Sequence, residues 1–189
     1  MIDLVTFHGI GPRGPEGERY ADGFRERLMA RLGRPIILWP VYWADLIDYR
    51  GLGTPLASAV DTALDPIRYT FRWWARSRIK ARVRNIADHI MPDRTLVVSH
   101  SWGTVLACNF WPDDHARLWV QFGSRRYWPV WFGRPPRVEK WLNVWSPIDP
   151  LSEPWKTPVN RQIEERHGPM WTSDSRADIV AQAWRDMDG

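Results

Sequence analysis

The sequence predicts an α/β layer fold with a mainly parallel sheet of about six strands flanked by helices. Three observations carry this expectation. Short, near-continuous apolar segments recur along the chain, as expected of strands buried on both faces rather than on one. Segments with helical spacing of apolar residues separate them, the alternation that crossover helices between parallel strands produce. One strand also runs directly into a helix through the small-residue turn Ser99-His100-Ser101-Trp102-Gly103.

Residues 2–7 read as a buried strand ending at His8-Gly9-Ile10-Gly11-Pro12. A helix is expected from about Glu16 to Leu32, because Tyr20, Phe24, Leu28 and Leu32 lie four apart and Gly33 stops it. Ile36 to Tyr42 is the second strand, and Thr54-Pro55 suits the start of a short helix to about Ala63. Asp65-Pro66 begins a longer helix to Ile90 with Phe71, Ala75, Ile79, Val83, Ile86 and Ile90 on its apolar face. Pro92 ends it.

Thr95 to Val98 is the third strand, followed by a helix from Trp102 to about Phe110. Leu118 to Phe122 and Trp141 to Trp145 are the fourth and fifth strands, and Val159 to Ile163 is a weaker sixth. A final helix begins near Ser175, which with Asp178 resembles a capping box, and buries Ile179, Ala183 and Trp184.

The 189 residues suffice for one domain spanning 1–189 with a real core. The longest apolar stretch, Ile36 to Trp43, is too short to cross a bilayer. The start lacks a basic segment followed by a cleavable apolar one. The single cysteine, Cys108, has no partner for an internal disulfide and is expected in the core. A cytoplasmic location is the default expectation. The cations are 23 arginines and three lysines, and the formal charge of +4 permits an acidic partner without demanding one.

The chemistry is expected at Ser101. A serine between a strand and a helix, with small residues two before and two after it, matches a G-x-S-x-G nucleophile elbow, here with Ser99 in the first position. A serine hydroxyl is a poor nucleophile near neutral pH and needs a base within reach and a carboxylate to orient that base. In the elbow arrangement the chain order is serine, acid, histidine. Of five histidines, only His167 follows the fifth strand. Asp149 lies just beyond that strand, with Glu153 as a rival in the same loop, while Asp174 follows His167 and breaks the order. The oxyanion donors are expected to be the Trp102 amide, at a helix N-terminus, and the amide of Ile10 or Gly9. His100 is expected to point away from the nucleophile and serve structure.

Phe7-His8-Gly9-Ile10-Gly11, Ser99-His100-Ser101-Trp102-Gly103, Gln121-Phe122-Gly123-Ser124, Asn143-Val144-Trp145 with Asp149-Pro150, and His167 with Trp171 resemble the successive landmarks of the α/β-hydrolase superfamily, in its lipase- and esterase-like branch. The resemblance covers nearly the whole chain. It implies a Ser101-Asp149-His167 triad needing no metal or organic cofactor, on a trimmed core without a separate cap domain. Ser99 departs from the usual glycine, and Arg125-Arg126 after Gly123-Ser124 stand where relatives often carry a proline.

Two segments remain. Residues 125–137 place Tyr127, Trp128, Trp131 and Phe132 among arginines and prolines, either as a loop lining an acyl pocket, with His8 nearby, or as a solvated loop. Arg72, Trp73, Trp74, Arg76, Arg78, Lys80, Arg82 and Arg84 make one helix basic, either as a solvated face or as an attachment to an anionic membrane surface. No nucleic-acid module is present, so no such partner is expected. The expected activity is a serine hydrolase cleaving a carboxylic ester or lipid. Thioesterase, amidase or lactonase chemistry on the same triad, or an inactive binding module, are the alternatives.

Overall fold

A computed structural model describes residues 1–8, 19–43, 73–124, 134, 137–156, 159–167 and 170–188. Among them six strands form one sheet: β1 (Ile2–Phe7), β2 (Ile36–Val41), β3 (Thr95–His100), β4 (Leu118–Phe122), β5 (Lys140–Trp145) and β6 (Val159–Gln162). The spatial order is β2-β1-β3-β4-β5-β6, and every neighbouring pair is parallel. Parallel pairing puts all the carboxyl ends on one rim, where ligands of open α/β sheets bind.

The α-helices are α1 (Asp22–Leu32), α2 (Trp73–Ala87), α3 (Trp102–Phe110) and α4 (Asp174–Arg185). Strand side chains alternate between two cores, as the two-residue repeat of a strand requires. Val5, Phe7, Val97 and Trp119 join α2 and α3 through Ile79, Val83, Val105 and Leu106. Leu4, Leu96, Val98, Val120 and Phe122 join α1 and α4 through Phe24, Leu28, Val180 and Trp184. Both faces are covered, so the inner strands read as unbroken apolar runs. Strand β6 is fully exposed along its length, as an edge strand can be, and its polar sequence made it the weakest expectation. No helix among the described residues is long and apolar enough to cross a membrane.

Several boundaries differ from those expected. Helix α1 starts at Asp22 rather than near Glu16, because residues 19–21 form a turn closed by the Asp22 amide on the Arg19 carbonyl. Tyr20 instead turns its hydroxyl to the Thr6 carbonyl, 2.7 Å away. Strand β3 runs to His100, where it still pairs with Phe122. The cap of α4 is Ser173, whose extended backbone and Oγ, accepting from the Arg176 amide, close the first turn. Ser175 lies inside the helix and donates to Glu165. The short helix expected over 54–63 and the first part of the 65–90 helix lie outside the described residues.

Candidate active site

The chain reverses from β3 into α3 at Ser101, which has φ 52° and ψ −126°. A non-glycine residue in that region costs on the order of 1–3 kcal/mol and persists only where its surroundings enforce it. The Ser101 amide donates to the Phe122 carbonyl of the adjacent strand at 3.0 Å, and the Ser101 carbonyl accepts from the Thr104 amide at 3.0 Å. These bonds hold the turn from both sides. Trp102 is the first residue of α3, and first-turn amides project from the positive end of the helix.

The small residues around Ser101 have separate causes. A Cβ on Gly103 would stand 2.3 Å from the Phe7 carbonyl oxygen and 2.6 Å from that of His8. Only glycine lets α3 lie this close to the end of β1. At Ser99 the side chain is fully buried but used. Its Oγ accepts from the Trp119 indole at 2.9 Å and lies 3.0 Å from the Thr104 hydroxyl. The serine thus ties β3, β4 and α3 together beneath the turn.

Asp149 sits in the loop between β5 and β6 and is only 4% exposed. Its Oδ2 accepts from His167 Nδ1 at 2.9 Å, and its Oδ1 from the Leu151 amide at 2.9 Å. Burial pushes the carboxyl up, but these hydrogen bonds outweigh it and hold the acid below its usual range. A proton on Nδ1 facing the carboxylate leaves Nε2 of His167 with its lone pair, the form a general base requires.

A ladder of amides anchors the acid loop. Gln121 on β4 donates to Asn143 on β5, and Asn143 donates to Asn160 on β6 and to the Glu153 carbonyl. These three stand in register across the sheet.

His167 lies on the loop between β6 and α4. Gly123, with φ +57°, backs directly onto it: a Cβ there would be 2.9 Å from His167 Nδ1 and 3.1 Å from Asp149 Oδ2. Because Gly123 follows the Phe122 carbonyl that holds the Ser101 amide, the imidazole and the turn share one support. Among the described residues no hydrogen bond joins Ser101 to His167. Such contacts often close only around substrate.

Solved structures share this fold. A protein of the alpha/beta hydrolase superfamily from Xanthomonas campestris pv. campestris is 16% identical, with 98% of this chain and 99% of that one covered and a TM-score of 0.58. The fold is that of the α/β hydrolases. S-formylglutathione hydrolase from Staphylococcus aureus shares it at 12% identity, 99% and 81% coverage and a TM-score of 0.51. Esterase PE8 does so at 13% identity, 98% and 92% coverage and a TM-score of 0.50. No family model matches the sequence, and no curated protein matches it significantly.

Within the α/β-hydrolase fold the expected residues sort as follows. Asp149 and His167 are joined, and Ser101 occupies the adjacent strained turn. Of the rival carboxylates, Asp174 pairs with Arg27 and Arg31 between α1 and α4, away from the imidazole. His8 is 5% exposed and stacks on Trp43 at 5.2 Å and on Tyr42 at 5.4 Å between ring centroids. Gly9, Ile10, Tyr127, Trp128 and Trp131 lie outside the described residues. Cys108 is buried in the core, which pushes its thiol up.

Sequence reasoning missed the clasp on the loop that carries His167. Buried Arg176 of α4 pairs with Glu165 at 2.8 Å and donates to the Arg166 carbonyl at 2.7 Å, just before His167. The available signal was a lone arginine on the apolar face of α4, three and four residues from Ile179 and Val180.

Proposed function

We propose that this protein is a serine hydrolase that cleaves carboxylic esters. The observation that carries the reading is the Asp149–His167 hydrogen bond formed beside a serine held at positive φ. In this scheme Ser101 Oγ attacks the ester carbonyl while its proton passes to His167 Nε2. Asp149 stays ionised and stabilises the imidazolium that forms. The oxyanion is held by the Trp102 amide and that of Ile10 or Gly9. The carbon–oxygen bond then breaks, and the His167 proton leaves with the alcohol. Water repeats the sequence on the acyl-enzyme and releases the acid.

The test is covalent labelling by a fluorophosphonate, read by mass spectrometry, in wild type and in Ser101→Ala. Labelling at Ser101 alone, with ester hydrolysis falling by about four to six orders of magnitude in a folded Ser101→Ala protein, is the expected result. Absence of labelling would favour a binding module. A panel of esters, thioesters, amides and lactones then separates the acyl classes.

One surface supports an anionic membrane as the place of work. Arg76, Lys80 and Arg84 are exposed four residues apart on α2, which carries no acidic residue. Such a stripe gains attraction from each cation near an anionic headgroup layer. Arg82 is not part of it, because its guanidinium donates to the Tyr42 carbonyl. Binding to phosphatidylserine vesicles that is lost in the Arg76→Gln, Lys80→Gln, Arg84→Gln protein is expected; equal binding by both proteins would remove this role.

A further inference from the structure

His100 is the residue before Ser101, and the structure turns its ring toward His167. The two imidazoles lie 4.7 Å apart between centroids, tilted by 33°. His100 Nε2 is 3.2 Å from the His167 carbonyl oxygen, a contact in which the ring nitrogen donates. The Trp171 ring lies 6.5 Å from that of His100 between centroids, at 84° to it, and Trp171 itself packs against Tyr20 and Phe24. The ring therefore has a firm backing from α1 and the turn before it.

The Asp149 hydrogen bond alone does not orient a base. It fixes Nδ1, but the ring can still swing about the Nδ1···Oδ2 line and carry Nε2 away from the serine. His167 is 27% exposed, so burial does not stop that motion. The tilted ring of His100 lies against that of His167 in the path of this swing, and the Nε2–H bond ties the His167 backbone at the same time. Because His100 and Ser101 are joined by one peptide bond, this two-point contact sets the base against the nucleophile itself rather than against the sheet at large.

We propose that His100 is a positioning residue for the base, its ring and its Nε2–H holding His167 in the orientation that presents Nε2 to Ser101. The inference rests on the reading of Ser101 and His167 as nucleophile and base. A charged His100 would oppose the imidazolium formed in each cycle. Burial, the neighbouring His167 and Arg176 push its titration down to about 3, so it stays neutral through the working range. The charged groups facing the pair are Asp149 from the β5–β6 loop and Arg176 from α4, and the latter is paired with Glu165.

The experiment compares wild type with His100→Ala, His100→Gln and His100→Phe. Glutamine keeps a donor at similar reach, and phenylalanine keeps a ring against the imidazole. The readouts are the rate of fluorophosphonate labelling of Ser101, kcat and KM on a p-nitrophenyl ester, the pH–rate profile and the melting temperature. The expected result is a fall of about tenfold to a hundredfold in labelling rate and kcat for His100→Ala, the scale of a small misplacement of a reacting group. KM should change little, and Gln and Phe should each recover part of the loss. The pH–rate profile of His100→Ala should differ from that of wild type, because water then reaches the face of the His167 ring that His100 covers.

If His100→Ala does not fold, the other two variants decide, each expected several-fold slower than wild type. Wild-type labelling rates and an unchanged profile in the folded variants would overturn the positioning role and leave the hydrolase reading intact. A wild type that does not label at Ser101 would overturn the hydrolase reading, and the positioning role with it.

Discussion

Gly123 stands against the imidazole of His167 so closely that a single added methyl group would lie 2.9 Å from Nδ1, the atom bonded to Asp149. The backbone there also sits at φ +57°. The two constraints act on different quantities, and that makes them separable.

Gly123→Ala should therefore lower activity far more than stability. Left-handed backbone costs alanine about 1 kcal/mol, a modest shift in a urea midpoint. Displacing the imidazole by even part of an ångström should reduce kcat/KM about a hundredfold. Gly33→Ala is the control: its φ is +61° and nothing lies within 4 Å of the added carbon. It should lose comparable stability and no activity. Equal activity losses in the two variants would show that the methyl–imidazole contact is not what matters.

Placing a glycine two residues before Ser101, as the elbow motif usually has it, should harm this protein. Ser99→Gly leaves the buried Trp119 indole N–H without its acceptor. An orphaned buried donor costs about 1–3 kcal/mol. Chemical denaturation should register that loss, while hydrolysis by the folded fraction stays near wild type. A neutral or stabilising Ser99→Gly would mean that another group or water takes the indole proton.

Asp149→Asn tests the acid in two ways. Activity should drop by about four orders of magnitude, since an amide favours the wrong imidazole tautomer. The stability difference from wild type should also depend on pH. The folded carboxyl is held below its ordinary range, so its stabilisation is complete above the unfolded value, roughly 3.9, and fades as pH falls through the folded one. Urea unfolding should show the wild-type advantage at pH 7 and a smaller one near pH 3. An advantage that stayed constant would place the effect elsewhere.

The Arg176–Glu165 clasp should behave as one unit. Arg176→Met removes the ion pair and the bond to the Arg166 carbonyl together. A loss of about 2 kcal/mol is expected, because Glu165 retains partial exposure and can rehydrate. Adding Glu165→Gln to that variant should cost little more. A double-mutant cycle with a coupling near zero would show that the two residues act independently.

Most of the architecture was legible because its signals are local. Apolar runs such as Leu96-Val97-Val98 and Leu118-Trp119-Val120 declare strands buried on both faces, and small residues around Ser101 declare a tight turn. Chain order singled out His167 and favoured Asp149 over Asp174 without any distance. Helix ends were less legible. Ser173 and Ser175 both qualify as caps by residue type, and only backbone geometry chose Ser173. Tyr20 fits the apolar face of α1 by spacing, yet its hydroxyl finds Thr6 on strand β1 and the helix begins after it.

By itself the sequence determined the alternation of strands and helices, the tight serine turn and the candidate acid and base, because each follows from periodicity, residue size or position along the chain. Tertiary structure alone decided what surrounds them. His100 lies against the imidazole of His167, His8 is enclosed in an aromatic stack, and Arg176 holds a loop ten residues earlier. These are contacts between different elements and loops, and their geometry depends on how the elements pack rather than on any pattern within one of them.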